Sequence, residues 1–208
     1  PLQGYYNLSG VISNTGIALS WIREILSIDN LDFKEIYKLA KNSKEHNIIF
    51  LPYLTGERAP IWNSNASATL FNLTSNSKRE EIANAVIEGT IFAFKSVIDE
   101  LENLGCTIDI IHINSSRKDL DFYYQLKSDI TNKKFIVFNT PSVELLGLAI
   151  QGFTSLKYYN SLKDAIQSMN FNPKQFYPNT SKYTYYEKKY NLFKTLYNST
   201  KDLMNKSL

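Results

Sequence analysis

One loop places opposite charges side by side between two residues that restrict the backbone. In LPYLTGERAP, Leu51–Pro60, an apolar run leads into Gly56, Glu57 and Arg58 and ends at Pro60. Glycine opens backbone conformations that other residues avoid and proline fixes φ, so the path of this loop is restricted at both ends. The two charges either line a cleft that faces another domain or anchor a purely structural turn, and the residues leave both interpretations open.

Two further places carry residue types that suit an anionic ligand. Gly16 lies at the start of NTGIALSWIREIL, whose apolar spacing predicts a short helix, and the start of a helix leaves backbone N–H groups free. Asn114, Ser115, Ser116 and Arg117 follow the predicted strand TIDIIHI at the start of another predicted helix, where basic side chains can attract phosphate. The alternative in both places is a turn with a structural role only.

The composition argues against several other functions. The 208 residues are 43% hydrophobic and 21% charged, with a formal net charge of +3, which is typical of a globular chain. Lysines and arginines are spread along the sequence, so we expect no nucleic-acid partner. Tyrosines and lysines mix over Lys182–Lys194, but the tyrosines recur at helical spacing, which indicates a packed helix face. Because Cys106 is the single cysteine and the two histidines are far apart, we expect neither an internal disulfide nor a metal site.

The sequence lacks the usual signals of export and membrane insertion. Its opening, PLQGYYNLSG, has no basic start and no apolar run. No stretch approaches the ~20 apolar residues of a membrane span. We therefore expect a cytoplasmic protein without a membrane partner.

The clearest predicted element is a long helix in the middle of the chain. Ser77 to Glu80 fits a capping box, and Gly105 is a natural helix stop. Gly89, at the middle, predicts close packing against another backbone, because a solvent-facing glycine there would cost ~1 kcal/mol relative to alanine. The predicted buried stripe consists of Ile82, Val86, Gly89, Ala93, Val97 and Leu101.

The second half of the chain alternates predicted strands and helices. TIDIIHI and KKFIVFN are each followed by a helical pattern, so Thr107–Phe153 is typical of a parallel α/β unit. Ligands of such sheets bind beyond the carboxyl ends of the strands, here the loops 113–118 and 139–143. We expect His112 to be a hydrogen-bonded core residue and Gly147 to be a packing glycine. Near the start of the chain, GYYNLSGVIS is also predicted to be a strand.

In this order, the segments resemble the C-terminal domain of the FGGY carbohydrate kinases, the family of gluconokinase, xylulokinase and glycerol kinase. LPYLTGERAPIW is similar to a loop of the family, IANAVIEGTIFAFKSVIDEL to its long glycine-bearing helix, and SNTGIALSWI to its element with a glycine near the nucleotide. VELLGLAIQGF resembles its Leu-Gly-Ala-Ala helix and the tyrosine-rich tail its closing helix. The resemblance covers nearly the whole chain. It implies a ribonuclease H-like α/β domain of the actin-like ATPase kind, with a mixed sheet flanked by helices, a long helix and a C-terminal helix.

The same resemblance implies a division of labour in catalysis. Residues 1–208 are expected to be the nucleotide-side C-terminal domain of a kinase that transfers a phosphoryl group from Mg-ATP to a sugar or sugar acid such as xylulose or gluconate. The N-terminal domain, with the catalytic aspartate and most sugar contacts, is expected to lie outside this chain. ATP and Mg²⁺ are then cofactors of the complete kinase, this chain alone is inactive and holds no catalytic residue or metal ligand, and a homodimer is possible. The implied nucleotide-binding residues are Gly16, Ser115, Ser116 and Arg117, and the implied cleft loop is Gly56, Glu57, Arg58 and Pro60.

The sequence departs from the family pattern where glycines are expected. The glycine-rich loop that follows this strand in the family is replaced by residues 114–117, and a further Ala-Arg-Gly by Ala66, Ser67 and Ala68. Serine carries a Cβ and disfavours positive φ, so the close approach of backbone to a nucleotide is harder. These changes motivate a second hypothesis, in which the chain is a degenerate, non-catalytic kinase domain that acts as a binding or regulatory module.

Overall fold

The computed structural model describes residues 6–28, 33–115, 120–169 and 171–206, and all structural statements refer to these residues. The helices are α1 Thr15–Ile25, α2 Lys34–Lys41, α3 Arg79–Asn103, α4 Asp121–Thr131, α5 Val143–Ser155, α6 Leu162–Gln167 and α7 Tyr183–Met204, with a 3₁₀ turn at Thr180–Lys182. The strands are β1 Ile49–Leu51, β2 Thr69–Phe71, β3 Ile110–Asn114, β4 Lys134–Phe138 and β5 Lys174–Phe176. None of the described helices is both long enough and apolar enough to cross a bilayer.

The long helix α3 lies at the centre of the core, as its sequence predicts. Val86, Ile87 and Ile91 are completely buried, and burial extends around the helix beyond the predicted stripe. At Gly89 a Cβ would overlap the carbonyl oxygen of Phe50 in β1, so only glycine lets the two backbones approach this closely. The prediction of backbone-to-backbone packing at Gly89 is confirmed.

The two ends of α3 are capped by local hydrogen bonds. At the start, the Glu81 carboxylate accepts from the backbone N–H of Lys78 at 3.1 Å, so the cap lies one residue later than the sequence predicts. At the end, Gly105 has a φ of +93° and the Cys106 N–H donates to the Leu101 carbonyl at 3.1 Å. This left-handed closure is a Schellman motif, and it explains why a glycine follows the helix.

Two small sheets flank this helix. Strands β1 and β2 pair antiparallel, and all three residues of β1 are buried: Ile49, Phe50 and Leu51. The second sheet has the order β3-β4-β5, with β3 parallel to β4 and β5 antiparallel to β4. The parallel pair and the mixed sheet agree with the predicted α/β unit.

Three expectations from the sequence are wrong. Residues 6–13 form no strand, and they are held instead by contacts such as the Ala59 N–H donating to the Val11 carbonyl at 3.2 Å. His112 is exposed, because β3 turns its alternate residues away from the core. Gly147 does not serve close packing, since nothing lies within 4 Å of where its Cβ would be.

The closing helix α7 seals the core with the tyrosine-rich face that its spacing predicts. Tyr186, Tyr190 and Phe193 are buried on it. Between them Lys189 carries its ammonium group into the interior, where it forms an ion pair with the buried carboxylate of Glu88 in α3. Burial raises the pKa of Glu88 and lowers the pKa of Lys189, while the charge of each partner opposes the shift of the other.

Candidate functional site

The loop Leu51–Pro60 is fixed by the side chain of Glu57, which is buried although it is charged. Its carboxylate accepts hydrogen bonds from the backbone N–H of Ser13 and of Arg58, each at 2.8 Å. Among the described residues Glu57 forms no ion pair with the Arg58 guanidinium. The carboxylate therefore anchors the turn through backbone donors, and the Arg58 side chain is left exposed to solvent.

Asn14 is a second anchor of this loop, and no pattern in the sequence singles it out. It is completely buried, and its Oδ1 accepts from the Thr55 N–H at 3.2 Å and from the Thr55 hydroxyl at 3.0 Å. Its Nδ2 donates to the Gly56 carbonyl at 2.6 Å and to the Glu57 carboxylate at 3.4 Å. These hydrogen bonds join the start of α1 to the loop.

The turn beyond Glu57 is closed by further backbone bonds. Glu57 and Asn63 exchange two of them, at 2.9 and 3.0 Å, and Trp62 donates to the Arg58 carbonyl at 2.6 Å. The Asn63 side chain donates to the Tyr197 hydroxyl at 3.3 Å, which ties the turn to α7. Gly56 has a φ of +71°, and its missing Cβ would meet the Ser64 backbone at 2.6 Å, so glycine is required there for both conformation and space.

Beside this turn lies an open pocket of about 610 Å³. Val11 and Ile17 supply apolar surface, Arg58 supplies a cation, and the Trp62 ring is 74% exposed at the edge. Gly16 lies in the first turn of α1, next to Ile17, with nothing within 4 Å of the position of a Cβ. Because the Asn14 side chain is bound to the loop, it makes no cap on the N-terminus of α1.

The structure therefore brings two of the predicted groups together and leaves the third apart. Gly16, in the first turn of α1, is joined to the loop through the Asn14 side chain, which bonds to Gly56 and Glu57. Glu57 and Arg58 line the pocket, whereas Pro60 lines a different pocket beside α7. Ser115 lies at the end of β3, where its N–H donates to the Phe138 carbonyl at 2.9 Å. Ser116 and Arg117 lie outside the described residues.

The end of β3 is joined to the loop that precedes α5. The Asn114 Nδ2 donates to the Thr140 carbonyl at 3.0 Å, and the Thr140 N–H donates to the Asn114 Oδ1 at 3.2 Å. Both loops predicted at the carboxyl ends of the parallel strands therefore meet. They meet through the side chain of Asn114.

Tyr53 lies beneath the loop and is held in its uncharged state. Burial, and then the charge of Glu57, raises the pKa of Tyr53 well above its ordinary value, so this hydroxyl keeps its proton. The Tyr53 ring packs edge-on against Tyr197 with a centroid distance of 5.5 Å. Within the described parts of the chain, no three His, Cys, Asp or Glu side chains come together as a metal site.

The fold and the order of its elements define the class of this domain: a ribonuclease H-like α/β domain of the actin-like ATPase kind. The structure of a gluconate kinase from Lactobacillus acidophilus superposes with a TM-score of 0.81 at 28% identity, covering 91% of this chain and 39% of that one. The chain belongs to the FGGY family of carbohydrate kinases, as a C-terminal domain, since the sequence model of that domain matches residues 1–156.

Other relatives agree with this assignment. A xylulose kinase of Staphylococcus epidermidis is 26% identical over 200 residues, which is 95% of this chain and 40% of that protein. The gluconokinase of Bacillus subtilis is 27% identical over 177 residues. A Plasmodium falciparum glycerol kinase solved with ADP superposes with a TM-score of 0.74 at 25% identity, covering 88% of this chain and 37% of that one. The chain thus spans about two fifths of the length of these relatives.

Proposed function

We propose that this chain is the nucleotide-side domain of an ATP-dependent kinase that phosphorylates a hydroxyl group of a sugar or sugar acid, such as xylulose or gluconate. The remaining part of such a kinase supplies the catalytic base and most contacts to the sugar. This chain supplies part of the nucleotide site, with Gly16 beside the adenosine and the region of Ser115, Ser116 and Arg117 near the phosphates or ribose. The Gly56–Pro60 loop lines the cleft.

One structural observation supports this proposal above the others. The uncapped start of α1 at Gly16 lies beside an open pocket, and Asn14 and Glu57 hold it rigidly to the cleft loop. Phosphoryl transfer depends mainly on positioning and on charge stabilisation, so a pre-formed surface for one substrate is what this half of a kinase has to provide. Relatives named xylulose kinase and gluconokinase, and the glycerol kinase solved with ADP, support the substrate classes.

The described residues form no ligand cluster for the Mg²⁺ of the complete kinase. The described residues bring no three carboxylate, histidine or cysteine side chains together. We assign no step of the reaction to the metal through residues of this chain.

Calorimetric titration of the chain with Mg-ADP tests the nucleotide site. We expect saturable binding, and we expect Gly16→Phe to weaken it at least tenfold because the ring would fill the open space beside the first turn of α1. Gly16→Ala is the matched control, since a methyl group meets nothing within 4 Å. Equal binding by wild type and Gly16→Phe would remove Gly16 from the site, and no binding at millimolar ADP would contradict a nucleotide site in the isolated domain.

The division of labour has a separate test. We expect the purified chain to transfer no phosphate from ATP to gluconate, xylulose or glycerol, because the catalytic base lies outside it. A coupled assay for ADP release measures this. Turnover by the chain alone would show that the base is present within these 208 residues.

A second candidate function is a degenerate kinase domain that binds or regulates without catalysis. The observation that favours it is the pair of hydrogen bonds between Asn114 and Thr140, which occupy the carboxyl end of the sheet. Restoring glycine with Ser115→Gly and Ser116→Gly distinguishes the two functions. A gain in Mg-ADP affinity would indicate that these serines impair the site, and unchanged affinity would count against their having disabled it.

A further inference from the structure

A polar cavity of about 170 Å³ lies where α3 and α4 meet α7 and the end of α2. One water takes a share of about 30 Å³ in the liquid, so the cavity has room for a few waters or for one small organic molecule. It shares no lining residue with the pocket beside the Gly56–Pro60 loop. The groups on its walls therefore indicate which ligand it fits.

Two oxygen atoms in the lining lack hydrogen-bond donors. The Asn84 Nδ2 donates to the Ala40 carbonyl at 3.3 Å, which fixes the orientation of the amide and leaves its Oδ1 buried with no partner among the described residues. Glu88 lines the cavity one turn further along α3 and is 2% exposed. Its Oε2 accepts from Lys189, and the described residues form no hydrogen bond to its Oε1. Because a buried acceptor without a donor is costly, the lining fits an occupant that donates hydrogen bonds.

The buried charges around the cavity are already paired within the chain. The Asp129 carboxylate accepts from the Gln125 Nε2 at 2.7 Å and lies 3.5 Å from the Lys182 Nζ. Glu88 has its own cation in Lys189. The whole lining contains three lysines and three acidic residues, so its formal charges cancel. A charged ligand would enter without a counter-ion, and burial of an unpaired charge is unfavourable, so the cavity favours an uncharged ligand.

Aromatic rings form the apolar part of the lining. Phe122 of α4 and Tyr185 and Tyr186 of α7 line the cavity, and the two tyrosine rings meet edge-on with a centroid distance of 5.0 Å. The Tyr185 hydroxyl donates to the His46 carbonyl at 2.9 Å and accepts from the His46 N–H at 3.2 Å, which holds this ring in place. Rings beside a few oriented polar groups are typical of small-molecule sites, because they contact both the carbon skeleton and the hydroxyl groups of a ligand.

We propose that this cavity binds a small uncharged polyol of about the size of erythritol. Its hydroxyl groups donate to the Asn84 Oδ1 and to the Glu88 carboxylate, and its C–H groups pack against Phe122 and Tyr186. The occupant contacts α3, α4 and α7 together, so its binding stabilises the folded chain by mass action. This inference goes beyond the proposed function and does not depend on phosphoryl transfer by the chain.

Titration of the isotope-labelled chain with erythritol, followed by nuclear magnetic resonance, gives the first test. We expect saturable shifts of the Gln125 side-chain amide and of the Glu88 backbone amide. Asn84→Leu replaces the unpartnered acceptor with an apolar side chain of similar size, and we expect it to weaken erythritol binding at least tenfold. Asn191→Leu is the matched control, since Asn191 is exposed on α7, outside the cavity. No saturable shift in the wild type would mean that the cavity holds water only and would overturn the proposal, as would equal binding by Asn84→Leu.

Charged analogues of erythritol test the chemical class of the ligand on the wild-type chain alone. Erythronate carries a carboxylate, and the amino analogue of erythritol carries an ammonium group. We expect each to bind at least tenfold more weakly than erythritol, because the buried charges of the lining are paired. Binding of the amino analogue as tight as that of erythritol or tighter would make the cavity a cation site, and the same result with erythronate would make it an anion site. Either result would overturn the proposal.

Urea denaturation provides a readout of occupancy through stability. Polyols stabilise proteins in general through their exclusion from the surface, so the comparison between variants carries the test. We expect erythritol to raise the urea midpoint of the wild type and of Asn191→Leu by more than that of Asn84→Leu. An equal rise in all three proteins would show exclusion alone and would contradict binding in the cavity.

Discussion

At the scale of single residues, the cleft loop is held by buried polar side chains that bind backbone groups. Asn14 and Glu57 both satisfy N–H groups of the loop or of the segment before α1. Such bonds are modest in net energy, but each buried group left without its partner is costly. These bonds anchor the loop to the segment before α1, and Arg58 and Trp62 are exposed to solvent on it.

Replacing Asn14 with alanine tests this anchoring. The substitution leaves the Thr55 N–H and the Gly56 carbonyl without their partner, and we expect it to lower the free energy of unfolding by about 1–3 kcal/mol. Urea denaturation followed by circular dichroism measures the change. Asn198→Ala on the exposed side of α7 is the control and should change stability by less than about 0.5 kcal/mol. Similar losses in both variants would mean that Asn14 is not an anchor.

His46 makes the stability of the domain depend on pH. Burial, followed by the charge of Lys189, lowers its pKa from 6.5 to about 3. In the folded protein it is therefore neutral, with its Nδ1 accepting from the Ile48 N–H at 3.2 Å. The unfolded chain binds a proton below pH 6.5, so this group costs stability as the pH falls from about 6.5 towards 3, by at most about 1.4 kcal/mol per pH unit.

The comparison of wild type with His46→Gln isolates this effect, because the other titrating groups are shared. We expect the wild type to lose stability relative to the variant between pH 7 and pH 4.5. Denaturant unfolding at several pH values provides the measurement. A constant difference between the two proteins across this range would show that His46 does not change its charge on unfolding.

At the scale of helices and strands, a glycine is required for stability where another backbone packs against it. Gly89→Ala places a methyl group against the Phe50 carbonyl, and we expect it to destabilise the protein by about 1–3 kcal/mol. Gly147→Ala, in the open face of α5, is the matched control and should be neutral or stabilising by up to about 1 kcal/mol. Urea midpoints of both variants test the pair. If Gly147→Ala destabilised the protein more than Gly89→Ala, the tight helix packing would lie at α5 and not at α3.

The same two helices show how far the sequence alone could predict the fold. The stripe and Gly89 of α3 predicted a central packed helix because its whole environment comes from this chain. Gly147 suggested the same for α5, but that face has no cover within the described residues. The segment 6–13 has the residue types of a strand, yet strand formation requires a partner edge, which local sequence does not specify.

The candidate site was predictable to a similar extent. Gly56, Glu57 and Pro60 stood out because glycine, proline and a charge in one loop are a local pattern. Asn14 did not, since its role depends on a residue more than forty positions away. Long-range side-chain to backbone bonds leave no signature in spacing or composition.

At the scale of the whole molecule, the domain is unevenly stabilised. The core joins α3 to α1, α2, α4, α7 and the strands, whereas α5 buries Ile150 alone. Hydrogen exchange followed by mass spectrometry should find the amides of residues 86–93 slowest and those of α5 much faster, because regions with few buried contacts open locally. The buried face of α7 serves as an internal reference. Protection of α5 equal to that of α3 would contradict this order.

The ion pair of Lys189 with Glu88 restricts how α7 can align against α3. Tyrosine and phenylalanine recur along this helix, so aromatic packing alone would tolerate several alignments against α3. One turn to either side of Lys189 stand Tyr185 and Phe193, neither of which carries a cation. A shift by one turn would leave the Glu88 carboxylate buried without a counter-charge, a state that costs several kcal/mol. One lysine thus selects a single alignment of α7 against α3 among near-equivalent ones.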